Sequence, residues 1–155
     1  MNMQSLELKM PPALLVLIFA SLMWSLTQLF PELSFHVENK KLWMRLIGLL
    51  GSLFIATGIY SFRRAKTTVD PTQPENATSM VQSGIYKYTR NPMYVGFLLF
   101  LTAFATVLTH ALPWLLLPAF VLYMNRFQIK PEEQALLKLF GTEYEVYCQK
   151  VRRWI

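Results

Sequence analysis

A single cysteine, Cys148, is all the thiol that this 155-residue sequence contains, so no disulfide can form within the chain. Histidine is nearly as scarce. His36 and His110 lie far apart in different segments and, with one cysteine, give no zinc-ligand spacing, so no metal site is expected. Charge is thin as well: 15% of residues are charged against 54% hydrophobic and 14% aromatic, too apolar a balance for an ordinary soluble domain of this length. The net charge of +6 is not laid out as a basic stripe interleaved with aromatics, which argues against a nucleic-acid partner. Cations cluster instead beside apolar runs, as they do at membrane edges.

Four such runs are present, and the chain reads as one domain, 1–155. Pro12 to Phe30 carries no charge and is long enough for a hydrocarbon core that needs roughly 20 residues. No small-residue cleavage site follows it, so an uncleaved first span is expected over 12–30. A second is expected over 46–62, with Arg45 snorkelling at its start. Along it Gly48, Ser52 and Ala56 recur every four residues, a face that predicts close helix packing. Met93 to Met124 is too long for one span and is broken near Thr109, His110 and Pro113, which predicts a hairpin of spans at 93–109 and 111–124.

Counting Lys and Arg per connection orients the four spans. The N-terminal tail, the 61–91 loop and the tail from 125 share one side and hold twelve; the 31–45 loop and the hairpin tip hold three. By the positive-inside bias both termini are expected in the cytoplasm, at a bacterial inner membrane. The sequon Asn76-Ala77-Thr78 would then face away from glycosylation.

Two polar segments are left on that side. In the first, the 61–91 loop, Arg90 is the last charged residue before Arg126, so it stands where polar ground ends. On the residues alone it fits either a positive-inside anchor or a recognition cation. In the second, 125–155, Pro131 suits a helix start and Glu132 and Glu133 complement its N-terminus. Gly141 can end that helix, and Thr142 and Glu145 have capping-box spacing for another. Leu136, Phe140, Tyr144, Tyr147, Val151 and Trp154 recur at helical steps, predicting an amphipathic tail that lies on the membrane or packs against the spans.

The run TTVDPTQPENATSMVQSGIYKYTRNPMYVG, Thr67 to Gly96, followed by PEEQALLKLFGTEYEVYCQKVRRW, resembles the isoprenylcysteine carboxyl methyltransferase family, and its small bacterial members most of all. It is also similar to the related phospholipid N-methyltransferases. The likeness rests on Gly84, Tyr86, Arg90, Pro92, Tyr94 and Gly96 in the first block. In the second it rests on Glu132, Glu133, Phe140, Gly141, Tyr144, Tyr147, Arg153 and Trp154. It implies an all-α integral membrane protein of four spans with a helical cytoplasmic tail, and S-adenosylmethionine as cofactor. Implied partners are membrane lipids and a small or lipophilic methyl acceptor.

Carried over residue by residue, the resemblance implies cofactor contact by Tyr86, Arg90, Asn91, Pro92, Tyr94, Gly96, Glu132, Glu133 and Tyr144. Catalytic roles fall to Arg90 and Glu133. One departure stands out: Asn91 occupies a position where the family often has histidine, so a titratable base is lost there while a hydrogen-bonding side chain is kept. Glu132 and Glu133, adjacent on a helix, point roughly 100° apart and are expected to divide their work. The accepting atom, oxygen, nitrogen or sulfur, stays open. So do phospholipid N-methylation and a non-catalytic membrane protein that binds a lipid head group or a partner.

Overall fold

Prolines mark the starts of three helices. Pro12 opens α1 (Pro12–Leu29), Pro92 opens α3 (Pro92–Leu108) and Pro131 sits in the first turn of α5 (Lys130–Phe140), positions where a missing N–H costs nothing inside the helix. The other helices are α2 (Lys40–Arg64), α4 (Ala111–Tyr123) and α6 (Thr142–Lys150). These come from a computed structural model, which describes residues 7–66 and 74–155. Positions 67–73, where the family-like run begins, lie outside the described residues. Among those described the chain is helical throughout, with short 3-10 turns and no strand beyond an isolated Ser34–His110 bridge.

Helix α3 is the hub: α2 packs along one side of it, α1 and α4 along the other. Leu15, Phe19 and Met23 of α1 meet Leu101 of α3, Phe120 of α4 and Met124 in one apolar cluster. Two helices are long and apolar enough to cross a membrane, α1 with 18 residues and α2 with 25, about 27 and 37 Å at 1.5 Å per residue. Neither is a buried core helix, since Leu17 is 64% exposed and Leu49 60%. Helices α3 and α4 are shorter, 17 and 13 residues.

The α2–α3 contact is made by other small residues than Gly48, Ser52 and Ala56. A side chain at Gly48 would meet nothing within 4 Å, and Ser52 and Ala56 are exposed. A Cβ at Gly96 would lie 2.5 Å from Ile55 Cγ1 and 2.8 Å from the Gly51 carbonyl; one at Gly58 would lie 2.8 Å from Met93 Cγ. The helices therefore touch through Gly51, Gly58 and Gly96, a seven-residue spacing on α2 that returns to one face after two turns.

The hairpin tip is tied by His110, which is fully buried. Its Nε2 donates to the Phe30 carbonyl at 2.7 Å, and its Nδ1 accepts from Leu112 N–H to cap α4. Its role is structural, as one would expect of a lone histidine far from the tail.

Past the tip the helical path does not stop near Met124. It passes through a π-turn, Met124–Ile129, directly into α5. Pro131 has no N–H for the Phe127 carbonyl four residues back, and the Leu8 N–H supplies one at 3.1 Å. Beside it Arg126 pairs with Glu7 at 2.6 Å. The segment leading into α1 thus braces the turn.

Gly141, at φ +52°, ends α5 and turns the chain into α6. Because that turn is complete at Gly141, Thr142 is already helical and the expected Thr142–Glu145 capping box does not form. The apolar face of the tail packs inward: Tyr144, Tyr147 and Val151 cluster with Met80, Leu136 and Phe140, while Trp154 packs against the apolar cluster of α1, α3 and α4.

Candidate active site

Three segments converge where α3 begins. The stretch 89–91 precedes Pro92, the first turn of α5 carries the two glutamates, and residues 151–154 return past both. Arg90 joins them. One of its terminal nitrogens, Nη1, donates to the Cys148 and Val151 carbonyls, each at 2.9 Å, and so caps the C-terminal end of α6 where a cation is favoured. The other, Nη2, reaches Glu133 at 2.8 Å, and the Arg90 backbone N–H donates to the Arg152 carbonyl at 3.0 Å. Asn91 Nδ2 donates to the Arg153 carbonyl at 2.9 Å, so this amide holds the returning strand in place of any proton chemistry.

Glu133 is shared between two cations. Arg153 donates to it through two nitrogens, Nε at 3.0 Å to the oxygen that also accepts from Arg90 and Nη2 at 2.6 Å to the other. Glu132 has none. Tyr94 OH donates to its Oε1, and so does Gln128 Nε2 from the π-turn. Both donors end on one oxygen, and Glu132 lines a cavity. Burial pushes the Glu132 carboxyl up to about 7, against the opposing pull of its two hydrogen bonds. The adjacent glutamates thus divide as their 100° separation implies: one is locked in ion pairs, the other pairs with no cation and is about half ionised at neutral pH.

The cavity, about 120 Å³, is lined by Tyr86, Arg90, Asn91, Tyr94, Glu132, Glu133 and Tyr144, seven of the nine residues expected to meet a cofactor. Pro92 and Gly96 lie off it: Pro92 starts α3, and Gly96 faces α2. Sequence reading did not assign Tyr147, Met80, Val81, Phe62 or Leu136 to the lining. Tyr147 was visible as part of the second block. Met80 and Val81 belong to an irregular segment with no period to read. Burial raises the Tyr86, Tyr144 and Tyr147 phenols well above their usual range, so all three stay protonated at neutral pH. Tyr147 OH donates to the Tyr86 carbonyl at 2.8 Å, fastening α6 to the 3-10 turn Gly84–Lys87. Arg90 Nε is the one buried side-chain nitrogen or oxygen among the described residues with no partner.

Glu132, paired with no cation, shares the cavity wall with phenols and with apolar side chains that include Met80 and Met93. The family model for phospholipid methyltransferases matches residues 43–143, which include α3, most of α2 and the first tail helix. The chain therefore belongs to the phospholipid methyltransferase family. Its likeness to the isoprenylcysteine carboxyl methyltransferases is borne out as well. It is 35% identical over 129 residues to a probable protein-S-isoprenylcysteine O-methyltransferase of Oryza sativa, covering 79% of this chain and 64% of that one. It is 32% identical over 133 residues to the protein-S-isoprenylcysteine O-methyltransferase of Saccharomyces cerevisiae, covering 79% and 54%. An uncharacterized Haemophilus influenzae protein is 48% identical over 63 residues, 41% of this chain and all of its own length. The chain thus spans less than two thirds of the plant and yeast relatives.

Proposed function

We propose that the chain is an integral membrane methyltransferase that uses S-adenosylmethionine to methylate a lipophilic acceptor, at a carboxylate, amine or thiol, on the cytoplasmic face. The observation that carries this reading is the cavity itself: residues from two distant blocks line one space, at the end of α3 that also bears the charged tail. When bound, S-adenosylmethionine supplies a methyl group on a sulfonium cation. Glu132 Oε2 is suited to its ammonium or ribose hydroxyls, and the phenols of Tyr86, Tyr94 and Tyr144 to its cationic and aromatic parts. Arg90 and Glu133 act through the protein, holding the tail as one wall of the site. Phe62, Met80, Val81 and Leu136 exclude water from the reacting end.

In this reading α1, α2, α3 and α4 are four spans of a bacterial inner-membrane protein with both termini in the cytoplasm, and the tail lies at the inner surface. Twelve cations against three support that orientation. A hydrophobic acceptor would enter from the bilayer and the polar cofactor from water.

Calorimetry of the detergent-purified protein with S-adenosylhomocysteine tests the cofactor. Binding in the micromolar range is expected, and its absence up to millimolar concentration would favour a non-catalytic membrane protein. Methyl label from S-adenosylmethionine should then appear in an organic-extractable product. The family model favours a second reading, phospholipid N-methylation. Head groups that gain mass one methyl at a time would establish it.

A further inference from the structure

Gln128 bonds Glu132 but does not itself line the cavity. It is a buried polar residue, 3% exposed, on the π-turn that joins α4 to α5. A buried amide at that depth is costly unless it is bonded, and its bonds go to the site. Its Nε2 donates to Glu132 Oε1, the oxygen that also accepts from Tyr94 OH, so it bears on the point where α3 and α5 meet at the cavity. The turn that carries it is held by the bonds of Leu8 and Glu7 described above.

We propose that Gln128 is a positioning residue that fixes the charge state and aim of Glu132. By donating to Oε1 together with Tyr94, it saturates that oxygen and leaves Oε2 as the single acceptor presented to the ligand. The proposal rests on the methyltransferase reading for what the ligand is, but not for what Gln128 does to Glu132. A hydrogen bond donated to a carboxylate favours its ionised form, so Gln128 works against the burial that raises the Glu132 carboxyl. The other titratable or charged groups facing Glu132 are Tyr94 on α3, Tyr86 on the 84–87 turn and Glu133 beside it. Across the cavity stand Arg90 and, on α6, Tyr144 and Tyr147. None of them replaces the lost amide, because Arg90 is committed to Glu133 and to two carbonyls.

The test has two readouts on the full chain in detergent. In the first, the infrared carbonyl band of the protonated Glu132 carboxyl, assigned by its loss in Glu132→Gln, is titrated against pH. Gln128→Met, close in shape but without a donor, should move the midpoint up by about one unit or more. Should that variant fail to fold, Gln128→Glu keeps the shape and should also move the midpoint up, by placing a second carboxyl beside the first. A midpoint unchanged from wild type in whichever variant folds would overturn the proposal.

The second readout is S-adenosylhomocysteine affinity. A midpoint moved from about 7 to about 8 leaves roughly a tenth of Glu132 ionised at pH 7 in place of half. Affinity should fall roughly fivefold at pH 7 and recover near pH 9. A variant that was merely unstable would lose affinity equally at both, and that result would count against a positioning role. If the wild-type protein binds no S-adenosylhomocysteine, the methyltransferase reading fails while the infrared titration still decides the role of Gln128.

Discussion

The Arg90 guanidinium reaches Glu133 at 2.8 Å, joining the start of α3 to the first turn of α5 across 43 residues of chain. The same group caps the last carbonyls of α6, so one side chain holds both tail helices to the spans. An arginine at the edge of an apolar run thus serves more than topology. Its fork is filled by the protein's own acceptors, with only Nε unpartnered.

Lysine at this position could reach the carboxylate or the carbonyls, but it lacks the planar fork that serves both. Arg90→Lys should lower the stability of the purified protein by about 1–3 kcal/mol and weaken S-adenosylhomocysteine binding, with membrane insertion unchanged. Arg64→Lys, an exposed cation at the end of α2, is the control and should change stability by less than about 0.5 kcal/mol. Equal thermal midpoints for the two variants would reduce Arg90 to an anchor.

Glu132 gives a pH dependence of opposite sign to that of an ion-paired acid. Its carboxyl is raised from an ordinary 4.5 to about 7, so the unfolded chain gives up this proton more readily than the folded one. Stability from this group is full below about pH 4.5, declines as pH rises toward 7 and is level above that. The difference is on the order of 2–4 kcal/mol. Thermal unfolding in detergent at pH 5 and pH 8.5 should show the decline in wild type and a smaller one in Glu132→Gln. Equal slopes would mean that the carboxyl is not buried as described.

The glycine contacts between α2 and α3 separate two positions that look alike in sequence. Gly96→Ala places a Cβ into Ile55 and the Gly51 carbonyl and should cost about 1–3 kcal/mol, whereas Gly48→Ala should be neutral or slightly stabilising as a helix former. Chemical denaturation of both variants in one detergent checks this. A greater loss for Gly48→Ala would place the contact on the wrong face of α2.

Topology is tested with single cysteines in a Cys148→Ser background. A cysteine replacing Ala111 at the hairpin tip should react with an impermeant reagent in intact spheroplasts, and one replacing Gln149 in α6 should react only after lysis. Labelling of the tail in intact cells would separate the cavity from cytoplasmic cofactor.

What could be read from the sequence was what repeats or punctuates. Charge-free runs gave α1 and much of α2, Thr109 to Pro113 gave the hairpin break, and Pro92, Pro131 and Gly141 gave helix boundaries to within a residue. The residue set of the cavity was legible because two motif blocks carried it. Partnership was not. Which glutamate meets the arginines depends on how α5 is rotated, and that is fixed by the π-turn, which leaves no mark on hydrophobic period. Gln128 was overlooked for the same reason: it lies among Asn125, Arg126 and Lys130 at the start of the tail, ahead of the Pro131 signal from which the tail helix was read. The small-residue face of α2 was misplaced because Gly48, Ser52 and Ala56 repeat as regularly as Gly51 and Gly58, and only the position of Gly96 on the neighbouring helix decides between them.

Glu7 and Arg126 are 119 residues apart and meet at 2.6 Å, next to the bond by which Leu8 replaces the donor that Pro131 lacks. During synthesis the first helix is therefore complete long before its partner in this brace exists. Until the ribosome has delivered the tail, the π-turn has neither its carbonyl satisfied nor its arginine paired, and Glu132 cannot be set. In the proposed reading, competence to bind cofactor would therefore come last, after the apolar helices are in place. Stalled chains ending before Pro131 should be protease-protected in the membrane yet retain no S-adenosylhomocysteine; retention by such chains would contradict this order.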